Sequence, residues 1–353
     1  MTLLIAEAHA RARAPERLIE QFREHMVGHG LDVAGPVRDS RVAFPGCVAL
    51  LRLAEGGIAL RIEADTPDWL ADAKNIVSGH LDSFCPDEAL GIVWRGHGAV
   101  GDDARPHNFR ALRVAAVEEV TPRMRRLRLE GQDIARYAGL GQMHVKILIP
   151  PKGEEPVWPT VSPSGQPVMD ASLRRRTYTI RRIDPAVGWM EIDFVVHGDE
   201  GPGSAFALRA EPGDLMGVMG PGGGGIGWEG WALVAGDETA LPAIGRALEA
   251  LPAGARGLAL IEVADAGERQ AIAHPPGVEV RWLYRDGAHY GTRLLAEVRA
   301  ATLPAGVAVT CWAACENTAA RAIREHWGEA CGLPRSRFRA VSYWRHGVGD
   351  GEG

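Results

Sequence analysis

The feature that most constrains the fold is a change of sequence pattern near residue 229. From about residue 108 to 225, short alternating or apolar runs are separated by glycine and proline turns. This spacing predicts a small antiparallel β-barrel. After residue 229, apolar strand-like segments alternate with helical ones, beginning with WALVAG (231–236) and TALPAIGRALEALP (239–252). Strand–helix alternation predicts a doubly wound parallel sheet, so the chain must contain at least two kinds of domain.

The residues before the barrel region predict a smaller unit of mixed α and β structure. A helix begins at Pro15, and the strand candidates 47–53 and 57–64 are joined in the manner of a hairpin. Residues 66–84 are expected to form a second helix, with a threonine as N-cap and a proline at the first helical position. GIVWR (91–95) is expected to close the unit as a strand.

These patterns together predict a multidomain protein. Its parts are an N-terminal α+β domain, an antiparallel β-barrel and a C-terminal α/β domain with a parallel sheet. The glycine, proline and charge content of RGHGAVGDDARPH is typical of a linker. The predicted boundaries are 1–97 for the α+β domain, 98–107 for the linker, 108–228 for the barrel and 229–353 for the α/β domain.

Charge and composition exclude several classes of protein. The formal net charge is -6, and a chain that binds nucleic acid through phosphates usually has a basic face across a whole domain, so no nucleic-acid partner is expected. The absence of a run of about 18 apolar residues predicts no membrane span. MTLLIAEAHARARAPE is not typical of a secretory signal. The five cysteines are odd in number and scattered, which favours a reducing cytoplasm over a disulfide framework.

One possible metal cluster comes from histidines. His25 and His29 lie four residues apart on one predicted helix, and His80 lies on another. Three histidines can bind a metal, but surface histidines and hydrogen-bonded core histidines are commoner. We therefore predict no metal site.

A charge concentration at RRRTYTIRR (174–182) needs an explanation in an acidic chain. If this stretch is a barrel strand, Arg176 and Tyr178 point to the same face. A guanidinium can hold phosphate oxygens in bidentate fashion, a tyrosine can lie along an isoalloxazine ring, and Thr179 adds a small donor. HGDEGPGSAFA (197–207) adds a glycine-rich turn and a helix start, which can hold an anion. The stretch is either a flavin site or an ordinary strand surface.

Two glycine-containing segments are candidates for binding a dinucleotide. GPGGGGIGWEG (220–230) precedes a strand, whereas a dinucleotide fingerprint follows one, so we interpret it as an interdomain turn. GDET follows WALVA and precedes a helix whose free N–H groups can hold a pyrophosphate. Gly236, Asp237 and Thr239 are therefore candidates for binding a nicotinamide dinucleotide.

These motifs occur together in one order. From about residue 108 to 347 the chain resembles the siderophore-interacting proteins, flavin-dependent ferric-siderophore reductases of the ferredoxin-reductase-like superfamily. The stretches that carry the resemblance are VEEVTPRMRRLRLEG, GQMHVKILIP, RTYTIR, DFVVHGDEGPGSAFA, GDLMGVMGPGG, GDETALPAIGRALEALP, ENTAARAIREHW and SYWRHG. HARARAPERLIEQFREHM and HLDSF resemble a small domain of unknown function that is sometimes fused in front of such proteins.

The resemblance implies roles for particular residues. Arg176, Tyr178 and Thr179 match the family's FAD-binding triplet, and Lys146 and Arg345 match basic residues that attract an anionic ferric chelate. The residues that match the pyrophosphate-binding loop are His197, Gly203, Ser204 and Ala205.

Two departures from the family pattern have consequences. Relatives often have an arginine directly after the pair that is Gly220-Pro221 here, where this chain has only glycines, so a less basic substrate pocket is expected. Cys315 stands in the family's AGE motif and brings a thiol close to the expected nicotinamide site, with a redox role left open.

The function implied is that of a cytoplasmic NAD(P)H:ferric-siderophore oxidoreductase. NADH or NADPH would reduce FAD, and FAD would reduce Fe(III) in a siderophore to Fe(II). Two alternatives stay open: a flavin-containing protein that binds or shuttles ferric siderophore with little turnover, and a reductase that takes electrons from ferredoxin. Glu262 and Asp265 favour NADH, whereas Arg269 and Arg285 favour NADPH, so the donor also stays open.

Overall fold

The computed structural model describes residues 3–98, 104–198 and 201–347. The middle of the predicted linker (99–103), two residues of the predicted pyrophosphate loop (199–200) and the end of the predicted α/β domain (348–353) lie outside the described residues. The chain divides into two compact units, one formed by Met1–Phe109 with Val157–Ala171 and the other by Arg110–Pro156 with Ser172–Gly353.

Strands and helices follow one another closely along the chain. Up to residue 168 they are β1 (Leu4–Arg11), α1 (Pro15–Gly28), β2 (Asp32–Ala34), β3 (Asp39–Phe44), β4 (Cys47–Ala54), β5 (Gly57–Ala64), α2 (Pro67–Phe84), β6 (Arg95–Gly96), β7 (Phe109–Thr121), β8 (Met124–Glu130), β9 (His144–Ile149), β10 (Thr160–Val161) and β11 (Pro167–Val168). After residue 168 they are β12 (Arg174–Asp184), β13 (Trp189–Val195), α3 (Pro202–Arg209), β14 (Leu215–Gly222), β15 (Trp231–Gly236), α4 (Leu241–Glu249), β16 (Arg256–Val263), β17 (Val278–Tyr284), α5 (Thr292–Ala300), β18 (Val309–Glu316), α6 (Asn317–Glu325) and β19 (Phe338–Trp344).

The first unit is an antiparallel sheet packed against two helices. Its strand order is β2-β3-β4-β5-β1-β6. Helix α1 buries Leu18, Phe22 and Met26, which recur at helical spacing. Helix α2 begins as expected, because the side chain of Thr66 accepts a hydrogen bond from the amide of Trp69. The N-terminal region thus has the α+β character that its sequence predicts.

The end of the first unit differs from the expectation. Only Arg95 and Gly96 pair as a strand, so the prediction of a strand over 91–95 is wrong for most of its length. The amide of Trp94 donates instead to the carbonyl of Pro163, and its indole N–H donates to Ser78 and to the carbonyl of Ser164. Trp94 therefore holds residues from 157–171, a segment that the sequence analysis assigned to the barrel region.

The second unit begins with a closed antiparallel barrel. Its strand order is β12-β13-β8-β7-β14-β9. Alternate residues of these strands fill the interior, among them Leu127, Ile147, Ile180 and Ile192, each fully buried. This alternation is the period of two that the sequence showed, because successive side chains of a strand point to opposite faces.

The rest of the second unit is a five-stranded sheet with strand order β17-β16-β15-β18-β19, in which neighbouring strands run parallel. Helices α4, α5 and α6 connect or follow the strands, and α4 buries Leu241, Ile244 and Leu248. The barrel, the parallel sheet and the N-terminal α+β region together confirm the predicted fold class.

Two buried arginines join the barrel to the sheet inside the second unit through an ion pair and hydrogen bonds. Arg181 of β12 is buried and donates to both carboxylate oxygens of Glu249 on α4, at 2.6 and 2.7 Å. Arg246 of α4 is also buried and donates to the backbone carbonyls of Ile180 and Ala138. Because these groups lose their water on burial, they must be paired, and the pairing fixes the position of α4 against β12.

Within the described part of the chain, no helix combines the length and the apolar character that crossing a membrane requires.

Candidate functional site

A cleft of the second unit has a volume of about 910 Å³. Its walls come from β12, from the start of α3, from the glycines after β14, from the turn between β15 and α4, and from β19. Eight of the predicted site residues line it: Arg176, Tyr178, Thr179, His197, Gly203, Ser204, Thr239 and Arg345. The cleft thus brings together residues that are up to 169 positions apart, since Arg345 and Arg176 differ by that number.

Strand β12 contributes the predicted triplet. Arg176 and Tyr178 are half-buried and Thr179 is buried, with 4% of its surface exposed. The guanidinium of Arg176 donates to the carbonyl of Arg175 at 2.9 Å. β12 pairs with β9, so that Thr177 lies opposite Lys146. The triplet therefore presents a cation, an aromatic hydroxyl and a small hydroxyl to one cleft.

Tyr178 is held between the barrel and α3. Its ring packs on Phe194, with 4.3 Å between the ring centroids. Its hydroxyl approaches the backbone of Gly203 so closely that a side chain at this position would overlap with it. Glycine is therefore required at 203 for steric reasons, because the first turn of α3 must touch the tyrosine.

The side chain of Ser204 holds His197 and Gly198 against the start of α3. The side chain of Ser204 accepts a hydrogen bond from the amide of His197 at 3.1 Å and donates to the carbonyl of Gly198. Ala205 lies one residue further into the helix, where its amide donates to the carbonyl of Gly201. The serine hydroxyl is thus engaged with the backbone, and the first amides of α3 are the groups that can hold an anion.

The three candidates at the turn after β15 are Gly236, Asp237 and Thr239, and they differ in position. A side chain at Gly236 would overlap with Ala240 and press on Ile244, so this glycine allows β15 and α4 to pack closely. Asp237 is buried and Thr239 lines the cleft. The hydroxyl of Thr239 donates to the Asp237 carboxylate at 2.5 Å.

Asp237 connects the turn to the last residues of β18 and β19. Its carboxylate accepts hydrogen bonds from the amide of Glu316 at 2.9 Å and from the indole N–H of Trp344 at 2.8 Å. Burial and the neighbouring Glu238 raise the pKa of Asp237 to about 6, against the hydrogen bonds it accepts. Its position is that of a buried anchor for Trp344, behind the cleft wall.

Of the two predicted substrate residues, the structure places Arg345 in the cleft lining and Lys146 next to it. The ammonium of Lys146 donates to the hydroxyl of Thr177, which itself lines the cleft.

Sequence reasoning missed several residues of the same wall. His144 and Tyr343 both line the cleft, and their Nε2 and hydroxyl oxygen are 2.8 Å apart in a hydrogen bond. Trp344, Tyr290 and Arg339 also line it. The available signal was the alternation in HVK, which puts His144 on the same strand face as Lys146, and in FRAVSYW, which does the same for Arg339 and Tyr343.

The charge of the cleft is positive because its carboxylates are paired. Asp193 accepts two hydrogen bonds from Arg126, at 2.6 and 2.8 Å, and both residues are buried. Glu238 accepts two from Arg285, at 2.6 and 2.7 Å. Among the described residues, neither Arg339 nor Arg345 forms an ion pair. A cleft with neutralised acids and unpaired arginines attracts anions.

The residues proposed to distinguish NADH from NADPH are differently placed. Glu262 is fully buried and accepts from the amides of Gly291 and Leu294, and Arg285 pairs with Glu238. Asp265 accepts from the amide of Gly267, whereas Arg269 is exposed. Glu262 and Arg285 are thus engaged within the fold.

Two further possibilities raised by the sequence are a redox role for Cys315 and a metal site. Burial raises the pKa of the Cys315 thiol far above its usual range, which disfavours the reactive thiolate. Across residues 3–98, 104–198 and 201–347, no group of three or more histidine, cysteine or acidic residues could hold a metal ion.

Three sequence families match the chain. Residues 229–347 match the family described as siderophore-interacting protein. Residues 113–225 match the siderophore-interacting FAD-binding domain. Residues 7–95 match a family described as an uncharacterized protein conserved in bacteria.

Individual relatives match about two-thirds of the chain. The NADPH-dependent ferric-chelate reductase of Escherichia coli is 31% identical over 67% of this chain and 92% of its own length. The ferric vibriobactin reductase of Vibrio cholerae is 29% identical over 65% of this chain and 86% of its own. The crystal structure of a siderophore utilization protein from T. fusca superimposes with a TM-score of 0.62 and 40% identity, over 68% of this chain and 94% of its own.

Proposed function

The chain belongs to the siderophore-interacting protein family, and from that premise we propose that it is a flavin-dependent ferric-siderophore reductase. It passes electrons from NAD(P)H through FAD to Fe(III) held by a siderophore and so releases Fe(II). The observation that carries the proposal is the single cleft that Tyr178 of the barrel shares with Thr239 at the edge of the parallel sheet. A reductase of this kind must bring its nicotinamide donor and its flavin together in one place.

The residues of the cleft fit an FAD. Arg176 offers a guanidinium for a phosphate, Tyr178 a ring and a hydroxyl, and Thr179 a small donor. The first amides of α3, at Gly203 and Ser204, point from the N-terminus of an eight-residue helix, a position that favours anions. The contact of the Tyr178 hydroxyl with Gly203 supports this assignment, because it joins the ring-binding strand and the phosphate-binding helix directly.

The turn after β15 suits a nicotinamide dinucleotide. Gly236 brings β15 close to α4, and Thr239 stands at the cleft in front of that helix. The amides of residues 239–241 already donate to Asp237, and the next residue is a proline, so the start of α4 favours a pyrophosphate through the helix dipole and not through free amides. Asp237 contributes indirectly, since its carboxylate holds the Trp344 indole in the cleft wall.

When bound, FAD would accept two electrons as a hydride and give them up one at a time. The protein's own part is to bind, orient and attract. The positive cleft draws in anionic chelates through Arg345, with Lys146 beside it. Hard oxygen ligands hold Fe(III) far better than Fe(II), so reduction loosens the iron from its chelator. We place this reaction in the cytoplasm, on the ground that five scattered cysteines suit a reducing compartment.

The test begins with the purified protein. We expect flavin absorption bands, and oxidation of NADPH or NADH that depends on added ferric siderophore, with Fe(II) trapped as a coloured complex. A colourless protein that takes up no FAD would contradict the proposal. Binding of ferric siderophore without turnover would identify a binding or shuttle protein. Turnover with reduced ferredoxin alone would identify a ferredoxin-dependent enzyme.

A further inference from the structure

The glycines that follow β14 leave space in the cleft wall, and two side chains from elsewhere occupy it. A side chain at Gly223 would overlap with the imidazole of His144, and one at Gly224 would overlap with the guanidinium of Arg339. His144 and Arg339 both line the cleft. The absence of a side chain at 223 therefore admits His144 of β9 to this part of the wall, and its absence at 224 admits Arg339 of β19.

Arg339 is oriented towards the cleft by its strand. Arg339 and Val341 of β19 line the cleft, as do residues 342–344 after them, whereas Phe338 and Ala340, which alternate with Arg339 and Val341, are buried. Arg339 itself is exposed, and in the described part of the chain its guanidinium has neither an ion pair nor a hydrogen bond. Nothing in the fold that these residues form requires a positive charge at position 339.

The charge nevertheless acts on its neighbours. Burial lowers the pKa of His144, and Arg339 and then Lys146 lower it further. Burial raises the pKa of Tyr343, and Arg339 opposes that rise. The guanidinium thus lies close to the hydrogen-bonded pair of His144 and Tyr343, where it makes the local potential more positive.

We infer that Arg339 is a substrate-binding residue, whose guanidinium contacts the anionic oxygens of the ferric chelate. Its guanidinium lies against Gly224, two residues after Gly222, the position at which relatives often have an arginine. The inference rests on the proposed function and names its substrate class: negatively charged ferric chelates, such as tris-catecholates, in preference to neutral hydroxamates. The sequence predicts a less basic pocket because residue 222 is a glycine. Arg339 would supply the missing positive charge from another strand.

The first experiment measures binding without electron transfer. Gallium(III) matches Fe(III) in charge and size but is not reduced, so its complexes with a hexadentate tris-catecholate (trianionic) and a hexadentate tris-hydroxamate (neutral) are titrated into the flavin-loaded protein by tryptophan fluorescence. Arg339→Gln should weaken binding of the anionic complex about fivefold, as expected for one exposed charge contact, and leave the neutral complex unchanged. Arg335→Gln is the matched control, since this exposed arginine is not among the described residues that line the cleft.

Two glycine variants test the same idea without removing the arginine. Gly224→Ala should displace the flexible guanidinium and copy the effect of Arg339→Gln, whereas Gly227→Ala, where an added side chain meets nothing within 4 Å, should have no effect. Gly222 also has open space beyond its Cα. Adding Gly222→Arg to Arg339→Gln should restore tight binding of the anionic complex, because the new arginine starts where relatives have theirs.

The outcomes separate this inference from the proposed function. A parent protein that binds neither gallium complex overturns both. If the parent binds both complexes, and Arg339→Gln weakens binding of both equally or of neither, only the assignment of Arg339 is overturned. A variant that instead raises the KM for NADPH assigns Arg339 to the phosphates of the dinucleotide and also overturns it. Selective loss of the anionic complex, restored by Gly222→Arg, supports it.

Discussion

The two halves of strand β12 carry the same residue type in different environments. At one end Arg176 is half-buried and lines the cleft. At the other end, beyond a register shift after Ile180, Arg181 is 2% exposed and paired with Glu249, which also binds the exposed Arg182. The five arginines in nine positions thus lie in three environments: Arg176 lines the cleft, Arg181 and Arg182 bind Glu249, and the first two of the run are exposed. A run of charge in a sequence does not have one purpose, because alternation and a bulge send neighbouring side chains to different places.

The largest loss of stability is expected when the buried charge of Arg181 is removed. Arg181→Met removes two charge-assisted hydrogen bonds to Glu249, which keeps only its bond from Arg182, and should lower the free energy of unfolding of the second unit by about 3 kcal/mol. The measurement is urea denaturation followed by tryptophan fluorescence. Arg182→Ala is the control and should cost under about 1 kcal/mol, since its side chain is 46% exposed. Equal losses in the two variants would show that the two arginines share one role.

The same pair predicts a pH dependence. Burial acts to raise the pKa of Glu249, but hydrogen bonds from Arg181 and Arg182 outweigh it and lower the pKa from 4.5 to about 2. Because the folded-state pKa is depressed, the stabilisation is fully present above about pH 4.5 and is lost as the pH falls towards 2. The difference in stability between the parent and Glu249→Gln should therefore shrink across this interval. A constant difference down to pH 2 would contradict the assignment.

At the cleft end of β12, replacing an arginine should weaken FAD binding and leave the stability of the fold unchanged. Arg176→Ala removes a charge-assisted contact worth roughly 1.5–3 kcal/mol, or about one to two decades in FAD affinity. The melting temperature of the flavin-free protein should not change. Arg175→Ala is the matched control, because this neighbour is exposed and is not among the described residues of the cleft lining. FAD titration by flavin fluorescence compares the two, and equal affinities would assign Arg176 to the surface.

The smallest effect is expected from the exposed charges beside the cleft end. Replacing both Lys146 and Arg345 by alanine should raise the KM for an anionic ferric tris-catecholate several-fold, with each residue contributing on the order of 1 kcal/mol and less at high salt. Turnover with a neutral acceptor should stay the same. A rise of equal size for neutral and anionic chelates would remove the electrostatic basis of this assignment.

Much of the architecture could be predicted because it depends on local pattern. Period-two strands, the N-cap at Thr66 and the strand–helix alternation after residue 229 are visible in a single sequence. The short strands β2, β3, β10 and β11 were missed, because three to six residues, or only two, carry too little periodicity to be recognised.

The cleft was predictable in part for the same reason. Arg176 and Tyr178 share a strand, so their spacing alone places them together. The approach of Arg339 to Gly224, and of Trp344 to Asp237, joins residues that are more than 100 positions apart. Such contacts depend on how β19 lies against the residues that follow β14 and β15, and a single sequence has no signal for that.

The packing of residues 157–171 into the first unit has a consequence for the order of events during synthesis. Gln166 donates to the carbonyl of Asn75, and Arg105 donates to the carbonyl of Trp158, so this unit is complete only with a stretch that is translated after three barrel strands. N-terminal domains commonly fold as they emerge from the ribosome. Here the emerging first domain must wait, partly formed, while β7, β8 and β9 are made, and translation pauses or chaperone contacts in that interval would act on both units at once.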